Sequence, residues 1–113
     1  MGYVYFYYDT ERKVCDYVGM TRSMARRTKE HRWYGKWVNE NHVVGYVELD
    51  DKYMSAAEYV LINELKPTRN VMKKRVPKML EGYSTNWDEL MPFIKFWGKS
   101  YDLQSISVDC NEK

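Results

Sequence analysis

An α+β fold follows from the kinds of segment in this sequence and from their order. Residues 3–9, 14–20 and 42–48 are rich in aromatic and β-branched side chains and read as strands. Two helical segments are interleaved with them, one opened by Thr21 or Ser23 and running to about Tyr34, the other from Ser55 to about Leu65. A hairpin comes first, so the expected architecture is a small three-stranded antiparallel sheet with flanking helices, β-β-α-β-α plus a C-terminal helix.

The first two strands are joined by the polar residues 9–13, a hairpin loop. If the whole of 9–13 is loop, Tyr8 opposes Val14 and Tyr5 opposes Tyr17. Because side chains alternate along a strand, one face is then Val4, Phe6, Val14, Val18 and Met20, a core face. The other carries Tyr3, Tyr5, Tyr7, Cys15 and Tyr17, with a gap at Gly19 that leaves room for a backbone. Two readings of the phenols stand side by side: a cross-strand aromatic stack that steadies the sheet, or a site where hydroxyls meet a phosphate. Asp50 and Asp51 end the third strand. Ser55 and Glu58 have capping-box spacing at the head of the second helix, and Pro67 stops it. Asn86 to Glu89 opens the C-terminal helix, 87–98, with Pro92 as a kink.

The chain has 113 residues, which indicates a single domain, 1–113, with no repeat, linker or low-complexity segment. Cys15 and Cys110 have no metal-ligand spacing, which argues against a disulfide scaffold or zinc ribbon. No apolar run is long enough for a membrane span, so a soluble protein of a reducing compartment is expected, cytoplasmic, nucleoid or nuclear. Net charge is only +2, but it is unevenly spread. Cations crowd residues 11–36 and 66–80, and the second block contains no acid. Two basic blocks fit a polyanion-binding face, and also two solvated segments. Of Trp33, Trp37, Trp87 and Trp97, core packing is the expectation for most, with base stacking as the alternative.

Several of these residues together resemble the GIY-YIG nuclease domain. Tyr3, Val4 and Tyr5 stand for its first triplet, and Tyr17, Val18 and Gly19 for its second. Arg27 and His31 follow on the next helix, Glu58 on a later one, and Asn70 closes a segment containing Leu65 and Pro67. The resemblance covers residues 3–70 and leaves 71–113 as a C-terminal extension. Tyr3 departs from the pattern, standing where the family has a structural glycine.

The resemblance implies a metal-dependent endonuclease that hydrolyses phosphodiester bonds in DNA. Glu58 would be the ligand of Mg²⁺, with Mn²⁺ as a substitute. Helical spacing puts Glu58 in line with Leu61 and Leu65, and a carboxylate facing the core side needs a partner such as a hard cation, unless it only closes the capping box. Arg27 and His31 share a helix face. By resemblance Arg27 grips the phosphate and His31 assists proton transfer, while one of Tyr5 and Tyr17 orients the water and the other contacts the phosphate. Gly19 would lie against substrate, and Asn70 would pin the chain beside Glu58 or contact substrate, unless it is an ordinary turn residue. Lys73, Lys74 and Arg75 would track the nucleic-acid backbone, or form a solvated basic turn. The expected partner is duplex or branched DNA, with a homodimer or second protein supplying specificity. Two other readings remain: a catalytically idle nucleic-acid-binding module, and an interaction protein docking through its aromatic face.

Overall fold

A computed structural model describes residues 1–69 and 91–97. The fold is α+β, as expected, with a sheet of four antiparallel strands and two α-helices. The elements are β1 (Gly2–Asp9), β2 (Val14–Thr21), α1 (Met24–Tyr34), β3 (His42–Leu49), α2 (Asp51–Leu65) and β4 (Lys95–Trp97). The sheet order is β2-β1-β3-β4, so the aromatic strand β1 is paired on both sides. Tyr3 lies in this regular pairing, opposite Thr21 and Glu48, and does not adopt a positive φ. The missing glycine is therefore accommodated in ordinary extended backbone.

The fourth strand corrects the C-terminal expectation. Within the expected helix 87–98, the described part is a 3-10 turn, Met91–Phe93, followed by β4. Pro92 cannot donate a backbone hydrogen bond, and Phe96 and Trp97 gain more by packing against the sheet than a short helix offers them. Phe96 turns to Phe6, with ring centroids 6.3 Å apart, and Trp97 turns to Tyr46 on the opposite face, 6.1 Å away.

The hairpin register also differs from expectation. Asp9 pairs with Val14, so the loop is only residues 10–13. The Asp9 carboxylate accepts the Glu11 and Arg12 N–H groups, and Lys13 closes the turn at φ 58°. A bulge then leaves Asp16 without a cross-strand partner: Tyr8 faces Cys15, but Tyr7 faces Tyr17. Loop and bulge each shift the pairing by one residue, so Tyr5 faces Gly19 instead of Tyr17. Beyond the bulge the two shifts cancel in parity. Tyr5, Tyr7 and Tyr17 keep one face, while Cys15 crosses to the other. Met20 is exposed rather than core.

The faces have different covers. Val4, Phe6, Tyr8, Cys15, Val18 and Val47 pack with Met54, Leu61 and Leu65 of α2. On the other face Tyr5, Tyr7 and Val44 pack with Met24 of α1, Tyr17 and Trp37. Helix α1 begins where Ser23 accepts the Arg26 N–H. Helix α2 begins earlier than expected, capped by Asp50, so Ser55 and Glu58 are interior residues and the capping-box reading of Glu58 falls away. Lys66 ends α2 in the left-handed conformation before Pro67. No helix among the described residues is long and apolar enough to cross a membrane.

Candidate active site

Strand alternation brings Tyr5 of β1 under α1, and the i, i+4 spacing of Arg27 and His31 lets both reach it. Arg27 Nε donates to the Tyr5 hydroxyl at 3.2 Å, and that hydroxyl lies 2.8 Å from His31 Nε2. Arg27 fills one acceptor site of the Tyr5 hydroxyl, and in the tautomer with Nε2 unprotonated that hydroxyl donates its proton to His31. His31 Nε2 is then the acceptor and the ring is neutral. Burial, then the nearby Arg27 charge, lowers the His31 pKa to about 4, with Glu30 opposing. Burial likewise raises the Tyr5 phenol well above its ordinary value, more than Arg27 can offset. Tyr7, next to it on the same face, is pushed up to about 12 by burial, with Arg32 and Arg27 opposing. Arg27 is secured further by an ion pair from Nη1 to Glu30 Oε2 at 3.0 Å.

Tyr5 is fully buried, whereas Tyr17 is partly exposed and stacks beside it with centroids 6.0 Å apart. The two phenols are therefore unequal. Tyr5 is buried and protonated, bonded to both Arg27 and His31, and Tyr17 is the more accessible of the two. Gly19 makes the arrangement possible: a Cβ there would sit 2.7 Å from Tyr17 Cε1 and 2.8 Å from the Tyr5 hydroxyl. The expected gap at Gly19 is thus filled by the two tyrosines, not by a ligand backbone.

Glu58 lies on α2 in line with Met54, Leu61 and Leu65 and is only 6% exposed. Those apolar neighbours pack on the Val4 and Phe6 face, so Glu58 belongs to the α2 layer, whereas Tyr5, Arg27 and His31 belong to the α1 layer. Helix α2 packs on β2 and β1, the strands that carry both tyrosines. Asn70, Lys73, Lys74 and Arg75 lie outside the described residues.

A second polar cluster sits at the hairpin end of the sheet. Asp9, Asp16 and His42 offer ligand atoms within 4.8 Å of one another, so by spacing they could hold a metal ion. As folded, each of those atoms is engaged. His42 Nδ1 accepts the Asn39 N–H, which puts the ring proton on Nε2, 2.7 Å from Asp16 Oδ2. Thr68 donates to Asp16 Oδ1 at 2.6 Å, and Arg12 donates to both carboxylates. Burial raises the carboxylate pKa values, but these bonds outweigh it and hold Asp9 and Asp16 below the ordinary range. Taking up a metal would mean expelling Arg12 and the Nε2 proton. The cluster ties together the hairpin turn, the start of β3 and the chain after α2.

That chain runs along the edge of β2: the Thr68 and Arg69 N–H groups donate to the Cys15 and Asp16 carbonyls. Arg69 is thereby carried over Trp37, 5.1 Å from the ring centroid, and Trp37 stacks on Tyr17 at 5.8 Å. Asp16, His42, Trp37 and Arg69 were not singled out from the sequence for these positions. The available signal was Asp16, an acid in an otherwise uncharged strand, which is what a bulge residue looks like. The first basic block is also less free than its composition suggests, since Arg12, Arg22, Arg26 and Arg27 are all ion-paired.

No protein-family model matches the chain, no curated protein matches its sequence, and no solved structure matches its fold.

Proposed function

We propose that the protein is a metal-dependent endonuclease acting on DNA. The observation that carries this reading is the Arg27–Tyr5–His31 hydrogen-bonded set, packed over Gly19 with Tyr17 presented beside it. A polar triad of this kind, a cation, a buried phenol and a neutral imidazole held in fixed geometry under a helix, suits phosphoryl chemistry.

In this reading Arg27 supplies positive charge to the phosphoryl oxygens, with Tyr5 fixing its fork. The neutral His31 ring orients the Tyr5 hydroxyl, which stays protonated, and Tyr17 offers its phenol to the scissile phosphate or attacking water. Glu58 is a buried hard-oxygen donor of the type Mg²⁺ or Mn²⁺ accepts, but it lies in the α2 layer, across the sheet from Arg27, so its role as the ligand rests on the family resemblance and the separation of layers counts against it. Such an ion would supply charge neutralisation and an acidified water. The Asp9, Asp16 and His42 set, with a nitrogen donor, suits Mn²⁺ or Zn²⁺ better than Mg²⁺.

One observation favours a competing reading, a binding module without chemistry: Arg27 is already ion-paired to Glu30. Supercoiled, linear, branched and single-stranded DNA incubated with Mg²⁺ or Mn²⁺ separates the two. Nicking or cutting that needs metal and is abolished in Glu58→Gln and Arg27→Ala is the expected result. Binding with no cleavage of any substrate, or metal-independent cleavage that survives Glu58→Gln, overturns the nuclease reading. A cytoplasmic, nucleoid or nuclear location would follow from such a substrate.

A further inference from the structure

A groove runs between α1 and the β3–β4 edge, outside the triad just described. One cavity of about 400 Å³ has Tyr7 and Val44 among its lining residues, together with Thr28, Arg32 and Trp97. A second, also of about 400 Å³, shares Thr28, Arg32 and Trp97 and adds Lys29 and Trp33. The shared walls make them one trough, and each half is of the size that small-ligand sites occupy, roughly 300–1,000 Å³. Its inner end reaches the candidate active site, because the Tyr7 ring lies 5.1 Å from His31.

The wall chemistry is specific. Trp97 is 40% exposed and Trp33 71% exposed, although both belong to elements that could have turned them inward. Trp97 is steadied by an edge contact with Tyr46 and presents its indole to both halves of the trough. Lys29 and Arg32, one helical turn apart, make no ion pair among the described residues, whereas Arg22, Arg26 and Arg27 on and before the same helix do. Among the described residues the acid on the lining is Glu40, in the half that contains Arg32 and lacks Lys29. Aromatic platforms beside unpaired cations at helical spacing are the elements of single-strand recognition, in which bases stack and phosphates pair with charge.

We propose that this trough binds a single-stranded segment of nucleic acid, with a base stacked on Trp97 and phosphates held by Lys29 and Arg32. The proposal deepens the nuclease reading and rests on it for the nature of the polyanion: the strand held here would lead past Tyr7 to the Arg27–Tyr5–His31 set.

The test is binding by the full chain in EDTA, so that no cleavage enters the readout. The probes are fluorescein-labelled decathymidylate and an abasic decamer of the same charge. Decathymidylate is expected to bind about tenfold more tightly than the abasic strand and to quench tryptophan emission. Trp97→Leu should erase that preference and Trp97→Phe should keep most of it. Arg32→Ala should weaken both probes and lower the salt slope by about one. Equal binding of the two strands, or a folded Trp97→Leu protein that retains the preference, overturns the proposal. Far-UV circular dichroism and the Phe variant guard against misfolding. Base-dependent binding at Trp97 in a protein that never cuts DNA would retire the nuclease reading and leave this one standing. Cutting by a protein with no base preference would do the reverse.

Discussion

The two helices cover opposite faces of one sheet by different means. Helix α2 buries Met54, Ala56, Val60, Leu61 and Leu65, and its apolar stripe joins the larger core. Helix α1 buries only Met24, is strongly basic, and attaches to the sheet through Arg27 and His31 on Tyr5. The hydrophobic effect would hold α2 in place whatever its polar residues did. Helix α1 has no comparable apolar stripe, so polar contacts must contribute to its docking. A helix docked through its polar residues places those groups accurately, which is what a site for chemistry requires.

The largest expected break in this contrast is on the α2 side. Leu61→Ala should cost ~2–5 kcal/mol by opening a cavity in the fully buried core, enough to shift a urea midpoint markedly. Tyr5→Phe comes next. It keeps the ring but strips the hydroxyl from Arg27 and His31, leaving buried polar atoms unpaired at ~1–3 kcal/mol. It should also loosen α1 selectively, read as faster amide exchange over Met24–Tyr34 than over α2. Uniform exchange across both helices would show that α1 is not docked through Tyr5.

The cap of α1 is a smaller lever. Ser23→Ala removes the acceptor for the Arg26 N–H and should cost ~1 kcal/mol, measured by thermal melting. If α1 depends on its polar contacts, this loss should exceed that from Asp50→Ala at the head of α2.

Smallest is the pH dependence, because His31 is only partly withdrawn from water. The ring has an ordinary value of 6.5 and a folded value of about 4. Between these the unfolded chain binds a proton that the folded chain refuses, so stability falls as pH drops from about 6.5 to about 4. Asp9 and Asp16, held below their ordinary 3.8, keep their contribution above that value and lose it only at lower pH. Melting temperature against pH should therefore fall in two stages. His31→Gln should flatten the upper stage and leave the lower one. An unchanged upper stage in that variant would assign it to another group.

Much of the candidate site was legible because helix and strand periods are local properties. The i, i+4 spacing of Arg27 and His31 put them on one face, and the alternation of Tyr3, Tyr5 and Tyr7 put the phenols together. The structure bears out both placements. Glu58 was legible as an inward carboxylate, but not in its layer. The pairing of Tyr5 with Gly19 was not legible, because it depends on where the loop starts and on a bulge at Asp16. The bulge is stabilised by His42, Thr68 and Arg12, and His42 and Thr68 lie far from Asp16 in the sequence.

The sequence by itself determined the α+β class, the hairpin, the extents of α1 and β3 to within a residue or two, and the common face of Tyr5, Tyr7 and Tyr17. Those features follow from side-chain periodicity, turn chemistry and caps, which act within a few residues. Only the tertiary structure decided that Tyr5 is the buried phenol and Tyr17 the presented one. It also decided that Asp16 and His42 are partners, that α2 starts at Asp51, and that Lys95–Trp97 is a strand closing a basic, aromatic trough. Each of these is a choice between local options of similar free energy, and contacts from distant parts of the chain are large enough to decide it.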